Sequence, residues 1–151
     1  MQRILFSISL VVFLGSCKET QVIAQNTFAN QENILLVEYD AISRGYFFAV
    51  KITNDSITKF KDRSKQESVS KPCSKKGWSE IISSLKKLEL EKISDLKAPS
   101  DKRTFDGAAH AQLKITTTKE TYTSTSFDDG NPPQELKPLV NTILSLTESI
   151  E

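Results

Sequence analysis

The sequence predicts an α+β fold, a two-layer domain with a mainly antiparallel sheet of about five strands (βββ-α-ββ-α) and two helices on one face. Three observations lead there. Short apolar or alternating segments are punctuated by Asn54-Asp55, Ala98-Pro99-Ser100 and Gly130-Asn131-Pro132-Pro133. Two longer segments each carry a single apolar stripe at helical spacing. The strand segments lie close enough in sequence to be joined as hairpins, which favour antiparallel pairing.

The first strand pattern is the compact apolar run 34–39. Residues 46–53 alternate, placing Phe48, Val50 and Ile52 on one face. Asn54-Asp55 tolerate positive φ and mark a two-residue hairpin turn. Residues 56–63 form the partner strand, whose alternating lysines belong on the wet face and discourage edge-to-edge pairing. Residues 64–73 read as a polar loop. Ser74 is placed to cap a helix, in which Trp78, Ile81, Ile82, Leu85 and Leu88 recur at three- and four-residue spacing. Leu90, Ile93 and Leu96 continue the stripe less regularly towards Pro99. Residues 108–116 form a strand with Leu113 and Ile115 inward, and the Thr- and Tyr-rich residues 120–127 form another. A second helix carries Leu136, Leu139, Val140, Ile143 and Leu144. Pro138 fits only in a first turn, where its missing N–H costs nothing, so the regular helix starts near residue 135 or later.

Ahead of the domain stands an export and lipidation signal. Arg3 supplies a positive start, and residues 4–14 form an apolar run too short for a bilayer, which needs about 20 residues. Leu14-Gly15-Ser16-Cys17 then reads as a lipobox, cleaved before an acylated cysteine. The competing reading is an ordinary secretory signal that happens to contain a cysteine. Each buried methylene of the acyl chains contributes about 0.8 kcal/mol, and two or three chains on Cys17 suffice for stable anchoring. The chain therefore divides into a signal peptide (1–16), a lipidated N-terminus and flexible tether (17–33), and a single domain (34–151). Lys18-Glu19 lacks the aspartate that retains some lipoproteins at the inner membrane. The expected location is the outer membrane, facing the periplasm or the cell surface.

Loss of residues 1–16 removes Arg3 from the 20 Lys and Arg, leaving 19 basic against 19 acidic residues. That balance argues against nucleic acid as a partner. Residues 59–76 nevertheless concentrate basic side chains, and residues 119–151 acidic ones. A solvated surface accounts for both; a basic rim facing an acidic partner or phospholipid headgroups is the functional alternative. Of the two cysteines, Cys17 is alkylated on this reading, so Cys73 is left as an unpaired thiol. Flanking Lys71, Lys75 and Lys76 would favour its thiolate, against the simpler reading of a bystander in a loop.

The candidate chemical cluster is Asp106, Gly107, His110, Asp128 and Asp129. If strands 108–116 and 120–127 pair as a hairpin, Asp106 and Asp128 meet at its open end with His110 just inside. Such a set could bind a divalent cation or act as acid and base. Against it, these are turn sequences whose side chains cap backbone groups, and His110 alternates away from Leu113. A single histidine excludes most zinc sites and triads. With no G-x-S-x-G, P-loop or G-x-G-x-x-G, the expectation is a protein without catalytic activity, cofactor or metal.

Two segments carry a family resemblance. Ser43-Arg44-Gly45-Tyr46-Phe47-Phe48-Ala49, followed by an alternating strand, is similar to the Gly-aromatic opening of the emfourin-like family. Asp106-Gly107, two Thr-rich strands, Asp128-Asp129-Gly130, Pro132-Pro133 and Leu136-x-x-Leu139 resemble its second half. The pattern spans residues 34–147, with Arg44-Gly45-Tyr46 where the family has Gly-Gly-Phe. The Asp106-Gly107-Ala108 and Gly130-Asn131-Pro132-Pro133 elements also resemble small lipoproteins of Bacteroidetes. The family prototype inhibits a thermolysin-like metalloprotease, so the resemblance implies an inhibitor whose contact loop is 41–47. Three readings result: a lipid-anchored binding module for a protease or envelope component, an emfourin-like inhibitor, and a metal or enzymatic site at 106–129. For partner binding the candidate residues are Arg44, Gly45, Tyr46 and Phe47, a loop with aromatic anchors.

Overall fold

A computed structural model describes residues 34–150. The proposed signal peptide, Cys17, the tether and Glu151 lie outside the described residues. The elements are β1 (Ile34–Ser43), β2 (Tyr46–Ile52), β3 (Ser56–Phe60), β4 (Ser68–Pro72), α1 (Lys75–Leu85), β5 (His110–Thr117), β6 (Thr121–Thr123), β7 (Phe127–Asp128) and α2 (Lys137–Thr147). Two 3₁₀ turns, Leu90–Lys92 and Lys102–Phe105, interrupt the connection from α1 to β5. The fold is α+β. Its antiparallel sheet has the order β4-β3-β2-β1-β5-β6, with β7 also paired to β5.

The sheet has seven strands where about five were expected. One addition, β4, lies inside 64–73, which reads as a loop because Val69 is its only strongly apolar residue. Main-chain pairing with β3 makes it a strand, helped by a 2.8 Å hydroxyl bond between Thr58 and Ser70. The other comes from 120–127, which does not stay one strand. Ser124 N–H donates to Leu113 O at 2.9 Å, but the Ser124 hydroxyl accepts from Leu113 N at 3.0 Å. A side chain has taken the place of a backbone carbonyl, and Thr125 N–H turns to Ile93 O instead. The ladder therefore breaks, leaving β6 and β7 as separate pieces along β5.

The core lies between one sheet face and the helices. Register places Val37 opposite Ile52 and Ile115, and Tyr39 opposite Val50 and Leu113. These residues join Ile81 and Leu85 of α1 and Leu139, Val140 and Ile143 of α2 in one buried cluster. As expected, Phe48, Val50 and Ile52 share a face, Leu113 and Ile115 point inward, and Ser74 caps α1 by accepting from Gly77 N at 3.0 Å. Pro138 occupies the first turn of α2. The α1 helix ends at Leu85, however, and Leu88, Leu90 and Ile93 reach the core through turns rather than along a helical stripe.

Two further expectations are corrected. Lys59 does not sit on a wet face: it stands opposite Val50, on the helix side, and donates to Ile150 O at 2.9 Å. Lys71 on β4 reaches Ser149 Oγ at 2.6 Å. Both cations therefore gather just beyond the C-terminal end of α2, where the helix dipole favours positive charge. The Asn54-Asp55 turn forms as expected but without positive φ. Its closure comes from the Thr53 hydroxyl, which accepts from Asp55 N and Ser56 N at 3.3 and 3.1 Å.

The two helices meet closely at Gly77, where an added Cβ would come within 3.0 Å of Leu146 Cδ2 and 3.3 Å of Ser74 Oγ. Gly77→Leu should overpack this contact and lower stability by about 1–3 kcal/mol, read as a lower urea midpoint. An unchanged midpoint would show that the helices have room to separate.

Candidate functional site

Antiparallel register brings loops that are far apart in sequence to one end of the sheet. There β1 passes through Arg44-Gly45 into β2, with Ser43 opposite Tyr46. Next to it β5 starts at His110, opposite Ile42, and β7 ends at Asp128, opposite His110. The loop 61–67 leaves β3 at the same end, after Phe60 pairs with Ala49. The candidate loop 44–47 and the candidate cluster 106–129 thus share one surface.

The hairpin tip is held from outside. The Arg63 guanidinium donates to the carbonyls of Ser43, Arg44 and Tyr46, the latter two at 3.3 and 3.4 Å. Lys65 bonds both Asp40 carboxylate oxygens, at 3.0 and 2.9 Å, and lies 5.5 Å above the Phe60 ring. Asp62 is engaged inside its own loop by Ser64 Oγ, Glu67 N and Gln66 N, which hold its carboxyl below the usual carboxylate range. Arg44, Gly45 and Tyr46 are exposed; Phe47, opposite Ile42, is half-buried on the helix-free face. Gly45 needs neither positive φ nor close approach, since nothing lies within 4 Å of an added Cβ.

Asp129 ties this tip to β1. It accepts from the buried Tyr39 hydroxyl at 2.6 Å. Burial, and then that bond, push the Tyr39 phenol far up. Tyr46 is raised as well, by partial burial first and then by the charge and hydrogen bonding of Asp129. The Tyr39 phenol stays protonated on the Asp129 carboxylate.

Asp128, one residue earlier, projects to the opposite face and is 2% exposed. Its carboxylate accepts from Ser100 Oγ at 2.6 Å, Lys102 N at 2.9 Å, Arg103 N at 3.0 Å and Arg103 Nη1 at 3.1 Å. Burial alone would raise its pKa; the Ser100 bond and the Arg103 and Lys102 donors overcome this and hold it well below the usual range. Asp106 is exposed, in the left-handed conformation (φ 59) that ends the 102–105 turn. Gly107 follows because a Cβ there would meet Lys102 O at 3.2 Å. His110 is exposed.

Of the candidate residues Asp106, His110, Asp128 and Asp129, His110 and Asp128 stand opposite each other in the β5–β7 ladder, and the turn reading accounts for the Asp128 carboxylate, which caps backbone amides of Lys102 and Arg103. Among the described residues no three His, Cys, Asp or Glu side chains are placed to hold a metal. The Asp128 carboxylate is committed to the 100–103 segment, and Asp129 to Tyr39. Cys73 is also drawn inward: it is 9% exposed, and burial pushes its thiol up despite Lys71. That works against a thiolate nucleophile.

Sequence reasoning missed Phe105. It is 71% exposed, and with Leu35 and Tyr46 it makes up the large exposed apolar side chains among the described residues. Tyr46 and Phe105 both belong to this end. The signal was a lone phenylalanine between the polar run Ser100-Asp101-Lys102-Arg103-Thr104 and Asp106-Gly107, with no apolar neighbour to give it a core face. No protein-family model matches the chain, and no curated protein matches its sequence.

A carboxylate whose pKa is depressed by folding contributes stability above its unfolded value of about 4, lost as pH falls towards the folded value. The unfolding midpoint should therefore drop between about pH 6 and about pH 3. Asp128→Asn should lower the midpoint at the upper pH, by leaving the Arg103 guanidinium without its buried partner, and flatten the acid slope. Parallel wild-type and variant profiles would show that Asp128 contributes no such linkage.

Proposed function

We propose that this chain is a lipid-anchored protein of the cell envelope, held in the outer membrane by acyl chains on Cys17 and facing the periplasm or the cell surface. Its domain is a binding module without catalytic activity or cofactor, and the loop end of the sheet is its contact surface. The observation that carries this reading is the polarity of the domain. The tether leads into Ile34, at the far end of β1 from the Arg44-Gly45 turn. Ten residues at about 3.3 Å each put roughly 30 Å between the two. The end of β1 away from Ile34 exposes Tyr46 and Phe105, whereas Leu35 is the large apolar side chain exposed beside Ile34. Exposed aromatics on a rigid support are the side chains that dominate protein interfaces.

A second reading draws on the bracing of the tip by Arg63. A loop held in one conformation suits an inhibitor of a thermolysin-type metalloprotease, in keeping with the resemblance to the emfourin-like family.

Intact-mass measurement should find Cys17 acylated, and Cys17→Ser should release the protein from the membrane fraction; a free thiol at that position removes the anchor. Full-length protein should capture a protease or another envelope component from detergent-solubilised membranes. Tyr46→Ala combined with Phe105→Ala should reduce that capture about tenfold or more. Undiminished capture by the double variant would show that the contact surface is elsewhere. Slowed hydrolysis by a thermolysin-type protease in the presence of the full chain would select the inhibitor reading.

A further inference from the structure

We propose that the hairpin tip accepts an acidic segment of a partner protein, with carboxylates on Arg44 and Arg63 and an apolar side chain against Tyr46. This rests on the loop end being the contact surface, and it names the chemistry of what binds there. None of the nearby acids forms an ion pair with either arginine among the described residues. Asp40 pairs with Lys65, Asp62 is bonded within its own loop, and Asp129 holds Tyr39. Arg44 and Arg63 have no carboxylate partner among the described residues.

Arg63 reaches the tip carbonyls through Nη2 alone, so its Nε and Nη1 donors have no partner among the described residues. A guanidinium has five N–H donors in a planar fork that fits a carboxylate with two parallel bonds. Two such cations at one end of the sheet, Arg63 reaching the Arg44 carbonyl at 3.3 Å, beside the half-exposed Tyr46 phenol, form a site for an acidic side chain and an adjoining apolar one. Lipid phosphates offer the same charge, so anionic vesicles enter the test as the competing occupant. An acidic protein segment is the occupant favoured by a planar fork with an aromatic side chain beside it.

The test uses isotope-labelled, full-length lipidated protein in nanodiscs of zwitterionic lipid. It is titrated with a synthetic peptide of Asp and Glu around a central Leu, with the Lys counterpart of that peptide, and with phosphatidylglycerol vesicles. The acidic peptide should shift the amide resonances of Arg44, Gly45, Tyr46 and Arg63, and added salt should weaken it. Arg44→Ala should weaken it about tenfold. Arg63→Lys, which keeps the charge but loses the fork, should weaken it severalfold. Absence of shifts, equal shifts with the Lys peptide, or unchanged affinity in Arg44→Ala would overturn the proposal. Equal shifts with the anionic vesicles would overturn it in favour of a lipid surface. If these fail while Tyr46→Ala with Phe105→Ala still loses capture, the contact surface stands and only its acidic partner falls.

Discussion

The long connection between α1 and β5 has little regular structure of its own, and its course depends on the carboxylate of Asp128. A buried carboxylate is tolerated only when its oxygens are hydrogen-bonded or paired with a cation. Here Ser100, the Lys102 and Arg103 amides and the Arg103 guanidinium supply the donors. Asn131 adds a bond to the Ser100 hydroxyl at 2.7 Å, so the turn after β7 is tied to the same point. The connection cannot drift from the sheet without leaving that charge unsatisfied. Gly107 N–H then closes the turn on Lys102 O at 2.8 Å, and Phe105 is left exposed.

The Asp128-Asp129 pair serves two faces because successive strand residues point to opposite sides. Asp128 secures the 100–103 segment, and Asp129 reaches the buried Tyr39 and the tip residue Tyr46. Gly130, at φ 81, then makes the turn that sends the chain to Pro132 and α2. A sequence that reads as a plain turn is thus the node joining the hairpin tip, the α1–β5 connection and the second helix. The acids are occupied by that structural work. Among the side chains the end presents to solvent are Tyr46, Phe105, Arg44 and Arg63, together with the acidic Asp106.

Much of the architecture was legible because local signals agreed with burial. Alternation in 46–52, the stripe through Ile81 and Leu85, the Ser74 cap and the position of Pro138 are all local properties, and the tertiary structure keeps them. The misses have a common cause. In β4, Val69 alone carries apolar character, so only the neighbouring strand reveals it. The break in 120–127 depends on the Ser124 hydroxyl replacing a ladder carbonyl, which leaves no trace in hydropathy. Lys59 read as wet because its charge was visible, whereas the carbonyl of Ile150 that receives it lies 91 positions away.

By itself the chain's order of residues determined the fold class, the positions of both helices, and the inward set Phe48, Val50, Ile52, Leu113 and Ile115. These follow from periodicity and short-range chemistry. The tertiary structure alone decided that 44–47 and 106–129 share one end, which distant donors the Asp128 and Asp129 carboxylates accept from, and that Phe105 joins Tyr46 in solvent. Such facts depend on antiparallel register and on donors distant in sequence, and neither is encoded in any single stretch of the chain.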